Sequence, residues 1–325
     1  MSFKEEILKY SRQDKIGPLT DWFDNALREL IDFDVYPYED KLREISKILI
    51  DDLKAYKAKY NVNDVVIGMS GGVDSALTAA LFKQAGWQVH GYTLPIHQKP
   101  EETLRGQRAC EALGIEHTEI DLTATYDGMI AWFMQHDETL VGKGTEPLRK
   151  GNLRVRLRMM TLYNQASKHR GLVASTDNYS ELAAGFWTLH GDVGDVSPIQ
   201  SLNKSWEVPK LAEIMAVPQE TVFAVPTDGL GISNSDEDQF GFSYLEFDIV
   251  LHRIGQTTIT STNRQEILES LAVPDTDLAK VNRILDRIQG SAFKRANPYN
   301  LLHPTQPTRF QQLETIDTAL WNTVK

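Results

Sequence analysis

Apolar residues recur along this chain in two alternating patterns: stripes three and four apart, and short unbroken runs. From Glu39 to Tyr60, Leu42, Ile45, Leu49, Leu53 and Tyr56 share one stripe, which predicts an amphipathic helix. Val65, Val66 and Ile67 then form a buried strand that ends in Gly68. Past a short turn, Val73, Leu77, Ala80 and Leu81 restore the helical period. The alternation continues with a strand over Gln88–Leu94, a helix over Glu101–Leu113, a strand over Glu116–Leu122 and a helix over Ala124–Gln135. Gly171–Ser175 is a further short strand, and helices are predicted over Phe242–His252, Asn263–Leu271 and Asp275–Ile288. Strands that alternate with helices predict an α/β fold, a doubly wound, mostly parallel sheet with helices on both faces. Extra helices flank it at both ends. Residues 1–38 predict one or two short helices carrying exposed aromatics (Trp22, Phe23, Phe33, Tyr36 and Tyr38), and the tail from Phe293 is proline-rich and irregular. Two polar stretches, His136–Lys150 and Asp228–Gln239, are expected to be mobile and to serve as active-site lids.

The turn between the first strand and its helix reads Ser70-Gly71-Gly72-Val73-Asp74-Ser75. Glycines let backbone approach a ligand closely, and a helix start aims free N–H groups at it, so an anion is expected there. Ser70 and Ser75 add hydroxyls. Asp74 adds a carboxylate, which beside a phosphate calls for a bridging cation. A plain tight turn with an acidic helix start would also account for a bare Gly-Gly, but the full string is more specific. It is neither a Walker P-loop nor a dinucleotide-binding glycine fingerprint. Ligands of such sheets bind at the carboxyl ends of strands, where connection order switches. Ser70 and Thr176 both fall at such ends.

Three arginines at spacing two, Arg154, Arg156 and Arg158, cannot share one helix face. Leu153, Leu157, Met160 and Asn164 make the expected core stripe. Asn152 and Arg156, four apart, would point together near a helix start and could hold an anionic group. Solvated or structural arginines remain the plainer reading of this run taken alone. In Ser175–Glu181, Asn178 and Glu181 fit a capping box. The functional reading makes Glu181 a magnesium ligand, joined with Asp74 across two strand ends as hard oxygen donors.

A chain of 325 residues can bury a large core. A net charge of −11 argues against a general nucleic-acid binder, although Arg149–Arg158 is a local basic cluster. One cysteine, Cys110, excludes an intrachain disulfide or a paired-cysteine zinc site. The eight histidines show no metal-ligand spacing. No apolar run is long enough to cross a membrane and the N-terminus has no leader character, so a cytoplasmic protein is expected.

The glycine loop resembles the pyrophosphate-binding loop of ATP pyrophosphatases. The order of further strings resembles the ammonia-dependent NAD⁺ synthetases, from about Glu39 to Pro298. These strings are Lys150–Met159, Ser175–Glu181, Gly185–Thr188, Gly191-Asp192, Pro198 with Leu202 and Lys204, Pro226-Thr227 and Phe293–Pro298. The resemblance implies three segments: an N-terminal helical extension over 1–38, the synthetase-like domain over 39–300 and a tail over 301–325. It implies amidation of nicotinic acid adenine dinucleotide by ammonia through an adenylated intermediate, with release of AMP and pyrophosphate. ATP is then a substrate and Mg²⁺ the metal, and the protein a homodimer acting on small molecules. Pyrophosphate would lie on Ser70, Gly71, Gly72 and Ser75, and magnesium on Asp74 and Glu181. Thr227, Lys204 and Thr176 would contact phosphates, and Asn152, Arg156 and Asp192 the nicotinate-bearing substrate. The resemblance assigns the catalytic roles to Asp74, Lys204, Thr227 and Asp192. A glutamine-using version needs an amidase domain with a nucleophilic cysteine, and the first 38 residues contain none.

The chain departs from that family at four places. Thr93-Leu94-Pro95 stands where Arg-Leu-Pro is usual, Leu189 where a lysine is common and Phe293 where a histidine is usual; the run Gly191–Asp195 is one residue shorter. Thr93 and Leu189 motivate amidation of nicotinic acid mononucleotide as an alternative. A tRNA-modifying adenylating enzyme and a catalytically silent nucleotide-binding relative are further alternatives.

Overall fold

The computed structural model describes residues 1–141, 146–227, 235–256 and 264–297, with three isolated positions beyond. Three helices open the chain: α1 (Phe3–Tyr10), α2 (Gln13–Ile16) and α3 (Asp21–Asp32). A 22-residue helix, α4 (Glu39–Tyr60), leads into β1 (Asp64–Gly68). Then come α5 (Val73–Gln84), β2 (Gln88–Thr93), α6 (Pro100–Leu113), β3 (Glu116–Glu119) and α7 (Thr123–His136). A 3₁₀ turn at Glu138–Val141 precedes α8 (Glu146–His169) and β4 (Leu172–Val173). The second half is helical: α9 (Tyr179–Ala184), α10 (Glu207–Ile214), α11 (Gln219–Val222) and α12 (Asp236–Phe240). It continues with α13 (Tyr244–Gln256), α14 (Arg264–Ser270), α15 (Asp275–Gly290) and α16 (Ala292–Arg295).

The sheet is parallel throughout, in the order β3-β2-β1-β4. The chain moves outward from β1 through β2 and β3, then returns to the other side of β1 for β4. The β1/β4 boundary is therefore the switch point, where the carboxyl ends of two strands open a crevice. Side-chain alternation divides the core. Val65, Ile67 and Val89 join the cluster that holds α5. Val66, Tyr92 and Val173 join a second cluster with Leu157, Met159, Leu162 and Ala166 of α8. Helix α5 is buried on nearly every side rather than along a stripe, since Val73 and the whole run Ser75–Phe82 are covered.

Several expectations need correction. Phe23 and Tyr36 are fully buried, not exposed, and three helices form where one or two were expected. The cause is long-range packing: α3 lies on α13, Tyr36 meets His252 edge-on at 5.7 Å, and the Trp206 indole takes Phe3 and Tyr10 edge-on at 5.2 and 5.5 Å and donates to Pro37 O at 2.8 Å. The N-terminal helices bury their aromatic face on α10 and α13, in the same core as α5. On α8, Met159 is the core residue, whereas Met160 and Asn164 are exposed. Two adjacent methionines left the register open, and packing on β1 chose the first. The polar stretch 136–150 holds the 3₁₀ turn and the first turn of α8, with 142–145 outside the described residues. Of 228–239, residues 228–234 are likewise outside, and Ser235 caps α12, in which Asp236 is buried. The tail's first residues form α16, where Lys294 donates to Gly185 O at 2.7 Å and Trp187 O at 2.5 Å. Beyond 297 the tail lies outside the described residues except at positions 305, 311 and 315.

Candidate active site

The loop after β1 closes on itself. Ser75 Oγ donates to Gly72 O at 3.0 Å and lies 3.2 Å from Ser70 Oγ, which accepts from Gly72 N at 3.2 Å. Ser75 is buried and braces the loop, while Ser70 is exposed. Gly71 takes a left-handed φ of 84°, and its carbonyl accepts from Arg105 Nε at 3.1 Å. A Cβ there would stand 2.2 Å from the Glu102 carbonyl oxygen, so glycine is required on two counts. The loop is thereby clamped between α5 and α6.

Across the crevice, Asn178 caps α9. Its side-chain oxygen accepts from Glu181 N at 3.0 Å, and Glu181 Oε2 accepts from Asn178 N at 3.2 Å. The capping box expected from sequence is thus real, and it also builds the site. It occupies one Glu181 oxygen and leaves Oε1 facing Lys204 Nζ at 3.3 Å. Asn178 Nδ2 reaches over to Asp74 Oδ1 at 2.9 Å, and Lys204 Nζ pairs with Asp74 Oδ2. Asp74, Glu181, Asn178 and Lys204 therefore meet between the ends of β1 and β4. Burial pushes the Glu181 carboxyl up, against the pull of Lys204 and with a further push from Asp74. Burial alone would lower Lys204, but Asp74 and Glu181 outweigh it and hold the ammonium charged.

Asp74, Glu181 and Lys204 line a cavity of about 260 Å³. Ser70, Gly72, Asp74, Thr176, Glu181, Asp192, Lys204 and Thr227 all face it, with Thr93 and Tyr92 from β2. Thr93 is bonded through its hydroxyl to His117 Nε2 at 3.0 Å. Gly71 and Ser75 lie behind the lining. Asn152 and Arg156 sit in a smaller cleft of about 170 Å³ with Phe133, Leu140 and Arg149. They connect to the main cavity through one loop. Thr188 donates from its hydroxyl to Asn152 Oδ1 at 2.8 Å and from its N–H to Asp192 Oδ1 at 2.9 Å, and Arg156 Nε donates to Leu189 O at 3.2 Å. Because α8 begins at Glu146, Asn152 and Arg156 lie well inside the helix, and its N-terminal dipole does not act on them as expected from sequence.

Sequence reasoning missed four residues here. Arg158 lines the cavity, with Nε donating to Leu94 O at 2.9 Å and Nη2 to Gln98 Oε1 at 3.2 Å. Asp236 lines it and accepts from the Tyr244 hydroxyl at 3.1 Å. Asp177 is buried behind it, its carboxyl raised by burial and then by the charges of Asp192, Glu181 and Asp74. Lys294, from the tail, holds the 185–187 backbone beside Asp192. All four fall inside stretches already singled out: Asp177, Lys294 and Arg158 in the resembling strings, and Asp236 in an expected lid, but none had been given a place in the site.

A sequence model of the NAD synthase family matches residues 45–298 of the chain. The NH₃-dependent NAD⁺ synthetase of Alkaliphilus oremlandii is 35% identical over 238 residues, covering 72% of this chain and 87% of that one. Among solved structures, the NMN synthetase from Francisella tularensis superposes with a TM-score of 0.64 at 29% identity, covering 81% of this chain and 98% of that one. The NH₃-dependent NAD synthetase from Campylobacter jejuni gives 0.60 at 27%, covering 80% and 99%.

Proposed function

The chain belongs to the NAD synthase family, and on that premise we propose that it amidates nicotinic acid adenine dinucleotide with ammonia, at the expense of ATP, to give NAD⁺. The observation that carries this reading is the meeting of Asp74, Glu181 and Lys204 beside the glycine loop at the switch point. A free carboxylate does not react usefully with ammonia. The nicotinate carboxylate therefore attacks the α-phosphorus of ATP, forming a mixed anhydride with AMP and releasing pyrophosphate. Ammonia then attacks the carbonyl carbon, and AMP leaves with one former carboxylate oxygen. Pyrophosphate is held by Ser70 and the Gly71–Gly72 backbone, with Ser75 keeping the loop in shape. Lys204, Thr176 and Thr227 take phosphate oxygens, so the residues position the reactants and neutralise charge.

Asp74 and Glu181 suit Mg²⁺: both offer oxygen, and both already converge on one cationic group, the Lys204 ammonium. Bound there, Mg²⁺ would neutralise polyphosphate charge. Asp192, with Asn152 and Arg156 behind the Thr188 loop, grips the nicotinate-bearing end. Ammonium must lose a proton before it attacks, and Asp192, which lines the cavity, is the carboxylate placed to take it. The exposed apolar residues Trp132 and Met134 of α7 and Met160 and Tyr163 of α8 support a homodimer through these helices. No described helix is long and apolar enough to cross a membrane, and a cytoplasmic location fits the single buried cysteine. For the domain organisation we keep the boundaries 1–38, 39–300 and 301–325.

Amidation of the mononucleotide is the second reading. It is favoured by Leu189, which offers the substrate loop no cation, by Thr93, which lines the cavity without one, and by the superposition on an NMN synthetase. Purified protein with ATP, Mg²⁺ and ammonium, offered the dinucleotide or the mononucleotide, separates the two. NAD⁺ with equimolar AMP from the dinucleotide supports the first. Amide product from the mononucleotide alone supports the second.

A further inference from the structure

At the opposite end of the sheet, three elements bring a second polar cluster together. Asp64 is the first residue of β1, His90 lies on β2 opposite Val66, and His169 is the last residue of α8. One ligand atom from each lies within 4.8 Å of the other two. His90 is largely buried and has a carboxylate at both nitrogens: Nε2 is 2.8 Å from Asp64 Oδ1, and Nδ1 is 3.4 Å from Glu116 Oε2 at the start of β3. The ring stacks on His169 at 3.7 Å. His169 Nε2 is 3.2 Å from the Tyr92 hydroxyl, which also donates to Gln165 Oε1 at 3.3 Å.

A neutral imidazole has one N–H, so His90 cannot donate to both carboxylates. We propose that His90, His169 and Asp64 form a binding site for one late first-row divalent cation, zinc in the first instance, separate from the nucleotide site. Two imidazoles with a carboxylate suit zinc and its neighbours, whereas magnesium prefers an all-oxygen set. With the cation on the Asp64 side of His90, Nδ1 faces Glu116 Oε2 at 3.4 Å, the side on which a carboxylate–histidine–metal arrangement would fix tautomer and ring orientation. Tyr92 and Gln165 orient His169 in the same way. The site staples the end of α8 to the amino ends of β1 and β2. It is invisible as a sequence motif because its ligands come from separate elements.

The test is equilibrium dialysis of the chelator-stripped full-length chain against Zn²⁺ near neutral pH, with melting followed in parallel. The wild type is expected to hold one more equivalent of zinc than His169→Gln or Asp64→Asn, with at least a tenfold loss of affinity in each variant. Zinc should raise the melting temperature of the wild type and not of the variants. Asp74→Ala should keep this equivalent, which separates it from any ion at the nucleotide site. Metal-free melting shows whether each variant is folded. Co²⁺ loading of the wild type gives a readout that needs no variant, an imidazole-bound visible spectrum. Absence of zinc retention, equal retention by folded His169→Gln and Asp64→Asn, loss of the equivalent in Asp74→Ala, or a fully aquated Co²⁺ spectrum would each overturn the proposal.

Discussion

Replacing Gly71 and Gly72 one at a time separates what the loop needs to fold from what it needs to bind. In Gly71→Ala the residue must hold φ near 84°, which costs an L-residue about 1–2 kcal/mol. Its methyl also stands 2.2 Å from the Glu102 carbonyl, so α6 has to move, and overpacking of this kind costs about 1–3 kcal/mol. The total is about 2–5 kcal/mol, a large part of the roughly 5–15 kcal/mol that holds a domain. With an unfolding entropy of about 2.1 cal/mol/K per residue over 325 residues, the melting temperature should fall by about 3–7 °C. Gly72 has an ordinary extended backbone, φ −92° and ψ 163°, and a Cβ there meets only Ser70 Oγ at 3.4 Å. Gly72→Ala should therefore melt within about 1 °C of the wild type. Its methyl enters the cavity beside the N–H groups proposed to take phosphate, so KM for ATP should rise by about tenfold. Scanning calorimetry and initial rates of AMP release give both numbers. A Gly71→Ala protein with wild-type melting, or a Gly72→Ala protein with wild-type KM for ATP, would refute this account of the loop.

Asp74→Ala should cut AMP formation by at least about 10²-fold while the fold survives, because the side chain is partly exposed and its loss leaves Lys204 paired with Glu181; near-normal turnover would remove Asp74 from the site. His252 should make stability fall with acid. Burial lowers its pKa to about 4, below the ordinary 6.5, so the unfolded chain binds the extra proton and stability is lost as pH drops from about 6.5 towards 4. At about 1.4 kcal/mol per unit this comes to roughly 1–2 kcal/mol by pH ~5, read from urea midpoints, and His252→Gln should flatten the profile. Deleting residues 1–38 should leave an aggregating or unfolded chain, because Ile7, Tyr10, Phe23, Leu27, Leu30 and Tyr36 are nearly or fully buried in the shared core. A truncated chain that melts like the wild type would show the extension to be dispensable.

Much of this architecture was legible in the sequence because local pattern and tertiary role agree. The stripe from Leu42 to Tyr56 set α4 at the observed ends, and the run Val65–Ile67 before Ser70-Gly71-Gly72 marked β1 and its loop. Asn178 and Glu181 were read as a cap and Glu181 also as a site residue; the cap is there, and it leaves the second Glu181 oxygen turned to Lys204. Where the sequence misled, long-range packing decided. Nothing near Phe23 or Tyr36 shows that the aromatic face of the first helices closes on Trp206 and α13, far along the chain. Met159 and Met160 are equivalent until β1 is placed beside them. Asp236 sits in an acidic run read as part of a mobile lid, which did not show that its side chain turns into the cavity against Tyr244. His90 and His169 show no spacing at all, because the sheet and the end of α8 bring them together.

The measurement that tests the central claim most directly follows oxygen. Nicotinic acid adenine dinucleotide labelled with ¹⁸O in its nicotinate carboxylate is turned over with ATP, Mg²⁺ and ammonium, and the products are examined by mass spectrometry. Attack of that carboxylate on the α-phosphorus, followed by displacement of AMP by ammonia, places one labelled oxygen in AMP, one in the amide and none in pyrophosphate. Unlabelled AMP beside labelled inorganic phosphate would contradict the adenylation account and mean that the glycine loop presents a different phosphorus to the carboxylate.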